Sequence, residues 1–182
     1  EVYRFSQVNE EQIPSLATTY KAFPPEERIH KLIDVALEKN GQVKSNASTK
    51  LQGLRREILK KRISADKLFY KALKRYEKEG WLGETRESVS NNRRVLAVKA
   101  ADKNKGRGAF HGSSAKNTLV FLEPSECLEI NAEVGILLEE ERREIRRILL
   151  NLTKEISPFR KEIEMTDKRL LALDILIAKT KF

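Results

Sequence analysis

The sequence predicts a mostly α fold with a small antiparallel β insertion, an α+β class in which two long antiparallel helices carry a β-sheet at their tip. Three observations predict it. Apolar residues recur in steps of three and four through most of residues 124–182, the period of a helix with one buried seam. A second stretch, residues 46–79, keeps the same period. Between them, in residues 81–123, helical spacing gives way to short apolar runs divided by turn residues, the pattern of strands. A sheet between two long helices brings the chain back along the first, so the helices run antiparallel. The divisions that follow are a helical part over residues 1–80, a β tip over 81–123 and a returning helix over 124–182.

In order, Ile13, Leu16 and Tyr20 share one face of a weakly periodic first segment, which Pro24-Pro25 interrupts. Pro25 with Glu26-Glu27 opens a second helix, with Ile29, Leu32, Ile33, Ala36 and Leu37 on one side. Asn40-Gly41 is expected to end it, because both residues accept the left-handed conformation of a helix C-cap. Ser45-Asn46 has the side chains to cap the third helix. On that helix Ala47, Leu51, Leu54, Ile58, Ala65, Leu68, Ala72 and Tyr76 are expected to be buried. Its other side is strongly basic, from Lys50 to Lys78, and Gly80 stops it.

The β part has three apolar runs, at residues 95–98, 109–110 and 119–122. Asn91-Asn92 suits a two-residue hairpin turn, which needs positive φ at both positions. Three or four antiparallel strands joined as a meander are expected. The last helix starts at Pro124, with Glu126 near its positive end. Its seam runs through Leu138, Arg142, Ile145, Leu149, Leu152, Ile156, Phe159, Ile163, Thr166, Leu170, Leu173 and Ile177. As one helix, residues 125–182 would measure roughly 87 Å, too long for a single compact core. Pro158 must kink or briefly break it, and the seam keeps its phase across that point. Position 1 is not methionine and the helical pattern runs to the last residue, so the chain reads as part of a longer one.

Composition narrows the function classes. The 182 residues are 40% hydrophobic and 35% charged, with a mean hydropathy of −0.54, a profile of an elongated helical protein more than of a compact α/β enzyme. No apolar run approaches a membrane span. The one cysteine, Cys127, forms no internal disulfide and fits a reducing cytoplasm. A net charge of +9 and a pI near 9.6 favour a polyanionic partner, most often nucleic acid.

The charge has a focus. Between Asn91 and Lys116, seven cations, Arg93, Arg94, Lys99, Lys103, Lys105, Arg107 and Lys116, stand against one acid, Asp102. Ser113 and Ser114 add short hydroxyl donors, and Gly106, Gly108 and Gly112 allow close backbone approach. Cations, short donors and exposed amides are what a phosphate-contacting surface needs. The basic side of the third helix is its internal rival. Catalytic signals are weak. No phosphate-binding Gly-Lys-Ser/Thr loop occurs, His30 and His111 are far apart, and no cysteine pair is present to join them at zinc. The acids around Glu139–Glu144 interleave with arginines at helical ion-pair spacing. No catalytic residue, cofactor or metal is expected in this chain.

Several of these stretches, in this order, resemble the MutS-two family. They are Asn91-Asn92-Arg93-Arg94-Val95-Leu96-Ala97-Val98-Lys99, Gly108-Ala109-Phe110-His111-Gly112-Ser113-Ser114 and Thr118-Leu119-Val120-Phe121-Leu122-Glu123-Pro124. Leu128-Glu129-Ile130-Asn131, the Glu139–Ile145 run, Ser45-Asn46-Ala47-Ser48 and Leu51 with Arg55-Arg56-Glu57-Ile58 add to the likeness, which covers roughly residues 25–182. The chain departs from the family pattern at Ala115-Lys116-Asn117 and at Asn131-Ala132. The resemblance implies that the long helices are a lever and the sheet a clamp. It implies a homodimeric ATPase using ATP and magnesium, with a C-terminal nuclease-type domain, both outside this chain. It also implies no mismatch-reading domain and an association with DNA repair, branched DNA, suppression of recombination and, in some members, stalled ribosomes. The expected function is a non-catalytic clamp gripping duplex or branched DNA by its phosphates. The competing expectation is a protein-interaction arm that dimerises, or docks on a ribosome or RNA, without holding DNA.

Overall fold

The computed structural model describes residues 5, 7–14, 17, 18 and 27–180. Leu16, Tyr20, Pro24, Pro25 and Glu26, on which the first helix and the opening of the second were expected, lie outside the described residues. The chain divides into two compact units, one formed by Ser48–Ile145 and one by Glu1–Ala47 with Arg146–Phe182.

In the second of these, α1 (Glu27–Ala36) has the expected side turned inward: Ala36 is buried and Ile29, Leu32, Ile33 and Leu37 are partly so. Asn40-Gly41 does not cap it. The helix stops at Ala36, and Leu37 pairs with Val43 across a small hairpin whose turn holds Gly41 at φ 82°. The Asn40 side chain accepts from the Gln42 amide at 3.0 Å, so the Asn-Gly pair is used as a turn.

The Ser48–Ile145 unit carries the sheet. Helix α2 (Thr49–Lys78) is capped by Ser48, whose Oγ accepts the Leu51 amide at 3.0 Å. The expected cap at Ser45-Asn46 is displaced to Ser48, because residues 45 and 46 form a turn instead. Gly80, at φ 71°, ends the helix as expected. The Gly80 amide bonds the Glu77 carbonyl at 3.0 Å and the Trp81 amide bonds the Tyr76 carbonyl at 3.1 Å, the paired bonds of a Schellman motif.

Four strands follow: β1 (Leu82–Ser90), β2 (Arg93–Lys99), β3 (Gly108–Ser113) and β4 (Leu119–Pro124). Asn91 and Asn92, at φ 49° and 61°, make the expected tight hairpin turn. The order is β1-β2-β4-β3, all neighbours antiparallel, not the expected meander. A short 3-10 helix, Ala100–Lys105, carries the chain across so that β4 pairs with β2. The two apolar strands thereby take the centre, with Val95–Val98 of β2 and Val120 and Leu122 of β4 buried. Polar β1 and glycine-bearing β3 take the edges, where one hydrogen-bonding side faces water.

The sheet lies along the last turns of α2. Phe69, Ala72 and Tyr76 of α2 form one core with Leu82, Leu96, Val98, Val120, Leu122 and Cys127. Phe69 was not among the residues expected inside. Helix α3 (Ser125–Ile156) then returns antiparallel to α2. The direction is written in four contacts: Arg75 with Glu126, Lys61 with Glu133, Arg55 with Glu141 and Ser48 with Glu144, at 2.6, 2.5, 2.8 and 2.7 Å. The expected seam on α3 is offset by one residue near its middle. Glu144 and Ile148 are buried, whereas Ile145 is half-buried and Leu149 is 39% exposed. The inward face contains acids that meet α2's donors, so a search for apolar residues alone slips to the flank. At Pro158 a three-residue 3-10 turn, Ser157–Phe159, joins α3 to α4 (Arg160–Thr180). Ile156 and Arg160 on either side keep right-handed helical angles, which is how the helical phase survives the proline.

Candidate nucleic-acid interface

Strand register sorts the nine expected contact residues into three groups. Arg93 and Arg94 open β2 at the end of the sheet where β4 runs out, since Leu96 pairs with Leu122. Lys99 closes β2 at the opposite end, opposite Leu119, and the Ser113–Lys116 segment reaches the same end through the Ser114 amide bond to the Leu119 carbonyl at 3.0 Å. Lys103, Lys105 and Arg107 lie on the crossover that leads back. The charge cluster of the sequence is therefore spread over both ends of the sheet and the segment between them.

The first group is engaged internally. The Glu123 side chain, 0% exposed, accepts from Arg93 Nη1 at 3.0 Å and from Asn131 Nδ2 at 2.7 Å, with His111 Nε2 at 2.6 Å. Burial works to raise its carboxyl pKa, and donation from Asn131, Arg93 and His111 more than offsets this, holding it below the ordinary 4.5. Arg94 bonds Asp66 at 3.1 Å and Glu87 at 2.5 Å, and its guanidinium lies 4.6 Å and 4.4 Å from the ring centres of Phe69 and Tyr70. Both arginines fasten the sheet: Arg94 ties α2 to β1 and β2, and Arg93 ties β2 to β4. Both guanidiniums are half-buried and bonded to carboxylates.

The other cations face solvent. Lys99 is exposed, with its ammonium 2.8 Å from the Gly80 carbonyl. Lys103 lies 5.0 Å from the Phe110 ring centre, within cation–π range. Lys105 pairs with Asp102 at 2.8 Å yet stays 57% exposed. Arg107 and Lys116 are exposed and form no ion pair among the described residues. Arg107 is fixed by its backbone: its amide donates to the Tyr76 hydroxyl at 2.9 Å and its carbonyl accepts from the Ser125 amide at 3.0 Å. The two serines shape the turn that presents Lys116. Ser113 Oγ donates to Asn117 Oδ1 at 2.7 Å, and Ser114 Oγ accepts the Leu119 amide at 3.2 Å. Asn117, at φ 53°, takes the left-handed position of that turn.

Sequence reasoning missed Glu123 and Asn131 as organisers. The signal was a single acid, Glu123, ending an otherwise apolar run, with His111 and two arginines within reach of the same sheet. Cys127, near the start of α3, is buried in the core, and burial pushes its thiol up to about 11. It is a packing residue. Among the described residues no group of three or more His, Cys, Asp or Glu side chains is placed to hold a metal ion, and no helix is long and apolar enough to cross a membrane.

No family model matches the chain. Curated relatives do. It is similar to the protein named Endonuclease MutS2 of Lactobacillus johnsonii, 33% identical over 163 residues, covering 90% of this chain and 21% of the relative. The Endonuclease MutS2 of Thermotoga neapolitana is 32% identical over 167 residues, covering 92% of this chain and 22% of the relative. That of Thermotoga maritima is 34% identical over 156 residues, with 82% and 20% covered. The chain thus spans about a fifth of the length of the relatives it matches. With matches at 32–34% identity over 82–92% of its length, the chain belongs to the MutS2 family.

Proposed function

We propose that this chain is the non-catalytic nucleic-acid-clamping region of a MutS2 protein. It holds duplex or branched DNA by the backbone phosphates, and α2 and α3 pass on movement driven by an ATPase elsewhere in the protein. The observation that carries the reading is the exposed set Lys99, Lys103, Lys105, Arg107 and Lys116, fixed by backbone bonds on the crossover and the β3–β4 turn. Such a surface binds phosphate without reading bases. Arg93 and Arg94 serve it from behind as fasteners of the sheet, and Ser113 and Ser114 shape the turn. The relatives' name, Endonuclease MutS2, supports a nucleic acid as what the whole protein acts on. ATP, magnesium, dimerisation and nuclease action belong, on this reading, to parts outside the chain, as the sequence has no phosphate loop to hold a nucleotide. A cytoplasmic setting goes with DNA as partner.

The test is binding of a labelled 30-base-pair duplex, followed by fluorescence anisotropy at several salt concentrations. Log affinity against log salt should fall with a slope of about −0.9 per neutralised phosphate. Changing the five exposed cations to Ala should weaken binding about equally for all sequences and flatten that slope. Unchanged binding by the five-fold variant would sink the assignment of the contact residues. A second reading, an interaction arm for a second copy, a ribosome or RNA, is favoured by the exposed Ile163, Leu170, Leu171 and Ile175 of α4. It predicts binding of those partners, unaffected by the cation changes.

A further inference from the structure

Helix α2 carries a second feature that the clamp reading leaves unused. Arg56, Lys60, Lys67, Lys71, Lys74 and Lys78 are separated by four, seven, four, three and four residues, which places them on one helix face. All six are exposed. The buried residues Leu51, Leu54, Ile58, Phe69, Ala72 and Tyr76 occupy the opposite face, so the cations point away from the sheet and from α3. The acids of α2, Glu57, Asp66 and Glu77, lie off the stripe, and none forms an ion pair with it among the described residues. Like charges three or four apart on a helix repel, so this face works against the helix that bears it. The outer face of α3 shows the ordinary solution: Glu139 is 3.5 Å from Arg142 and 3.6 Å from Arg143.

We propose that this stripe is a second nucleic-acid track, receiving a phosphate backbone lengthwise along α2. The inference rests on the reading that the chain holds nucleic acid, and it extends the binding surface from the sheet onto the helix. From Arg56 to Lys78 the helix rises about 33 Å, close to the roughly 34 Å of one duplex turn. Leu59, Ile63 and Tyr70, all exposed, flank the stripe and give sugar edges an apolar strip to lie against. An anionic membrane is the lesser fit. A membrane-lying helix inserts the apolar face opposite its charges, and on α2 that face is already buried in the protein.

The experiment compares three proteins: the unaltered chain, a track variant with Lys60, Lys67, Lys71, Lys74 and Lys78 changed to Gln, and the five-fold clamp variant. The probes are a labelled 30-base-pair duplex over a salt series and vesicles containing phosphatidylserine. The track variant should bind duplex at least tenfold more weakly at 100 mM salt, with the slope flatter by about 0.9 for each phosphate that is no longer neutralised. Its melting temperature should be unchanged or higher, because repulsion is relieved while no ion pair is removed. Weak binding by the clamp variant beside normal binding by the track variant overturns the track and leaves the clamp reading standing. Weak binding by the track variant beside normal binding by the clamp variant supports the track and overturns the clamp assignment. If the unaltered chain fails to bind duplex, both fall. If the track changes abolish vesicle binding and spare the duplex, the face belongs to a membrane and the proposal is wrong.

Discussion

Glu123, next to the last residue of β4, is the single acid of that strand, fully buried, and gathers Arg93, His111 and Asn131. Removing it with Glu123→Ala should cost about 2–4 kcal/mol in urea unfolding, since it strands a guanidinium and two other donors, with solvent at Arg93 softening the loss. The acid limb is diagnostic. Its carboxyl pKa is lowered by folding, so its contribution is present above the unfolded pKa of about 4.3 and is lost as pH falls through the lower folded value. Glu123→Gln should therefore lose less stability than the unaltered chain between pH 5 and the acid end, within the range of about pH 5 to 1 typical of such carboxylates; an identical acid limb would exclude this role. Gly108 is the second residue with a specific demand. At φ 152°, a Cβ there would sit 1.9 Å from the Glu123 carbonyl oxygen. Gly108→Ala is expected to destabilise by about 2 kcal/mol or more, from the collision and the backbone strain together, measured as a fall in melting temperature.

At the scale of elements, the pairing of α2 with α3 combines apolar burial with matched charges. Leu51, Leu54, Ile58 and Val134 are buried, while Arg55, Lys61 and Arg75 meet acids of α3 across the pair. Ile148, at 8% exposure, and Leu149 are neighbours that differ in burial. Ile148→Asp should cost several kcal/mol, or about 3 at least, because a carboxylate is forced into an apolar site. Leu149→Asp should fall within about 1 kcal/mol of the unaltered chain. Equal melting temperatures for the two variants would show that the seam follows the apolar heptad after all. Ser48→Ala removes the N-cap of α2 and should cost about 1–2 kcal/mol, read from the same melts.

For the whole molecule, a net charge of +9 makes ligand and salt effects the natural probe. Duplex at about a hundred times its dissociation constant should stabilise the fold by about 2.7 kcal/mol if it binds only the folded chain. The effect should vanish at 1 M salt, where the screening length is about 3 Å. Stabilisation that persists at 1 M salt would mean the binding is not electrostatic.

Periodicity in the sequence by itself determined the two long helices and the α+β class, and turn chemistry the hairpin at Asn91-Asn92 and the stop at Gly80, because these depend on interactions within a few residues. Local chemistry also placed the charge between residues 91 and 116. What only the tertiary structure decided was which partner each group meets. The strand order placed β4 beside β2, since the most apolar strands gain most from the centre. Folding the sheet along α2 turned Arg94 onto Asp66 and Phe69, and closing β2 on β4 gave Arg93 to Glu123. A cation in a sequence carries no mark of whether it will face an acid or water. That is settled by contacts 28 to 31 residues apart along the chain, such as Asp66 with Arg94, Arg93 with Glu123 and Tyr76 with Arg107, whose geometry exists only once the sheet has packed against the helices.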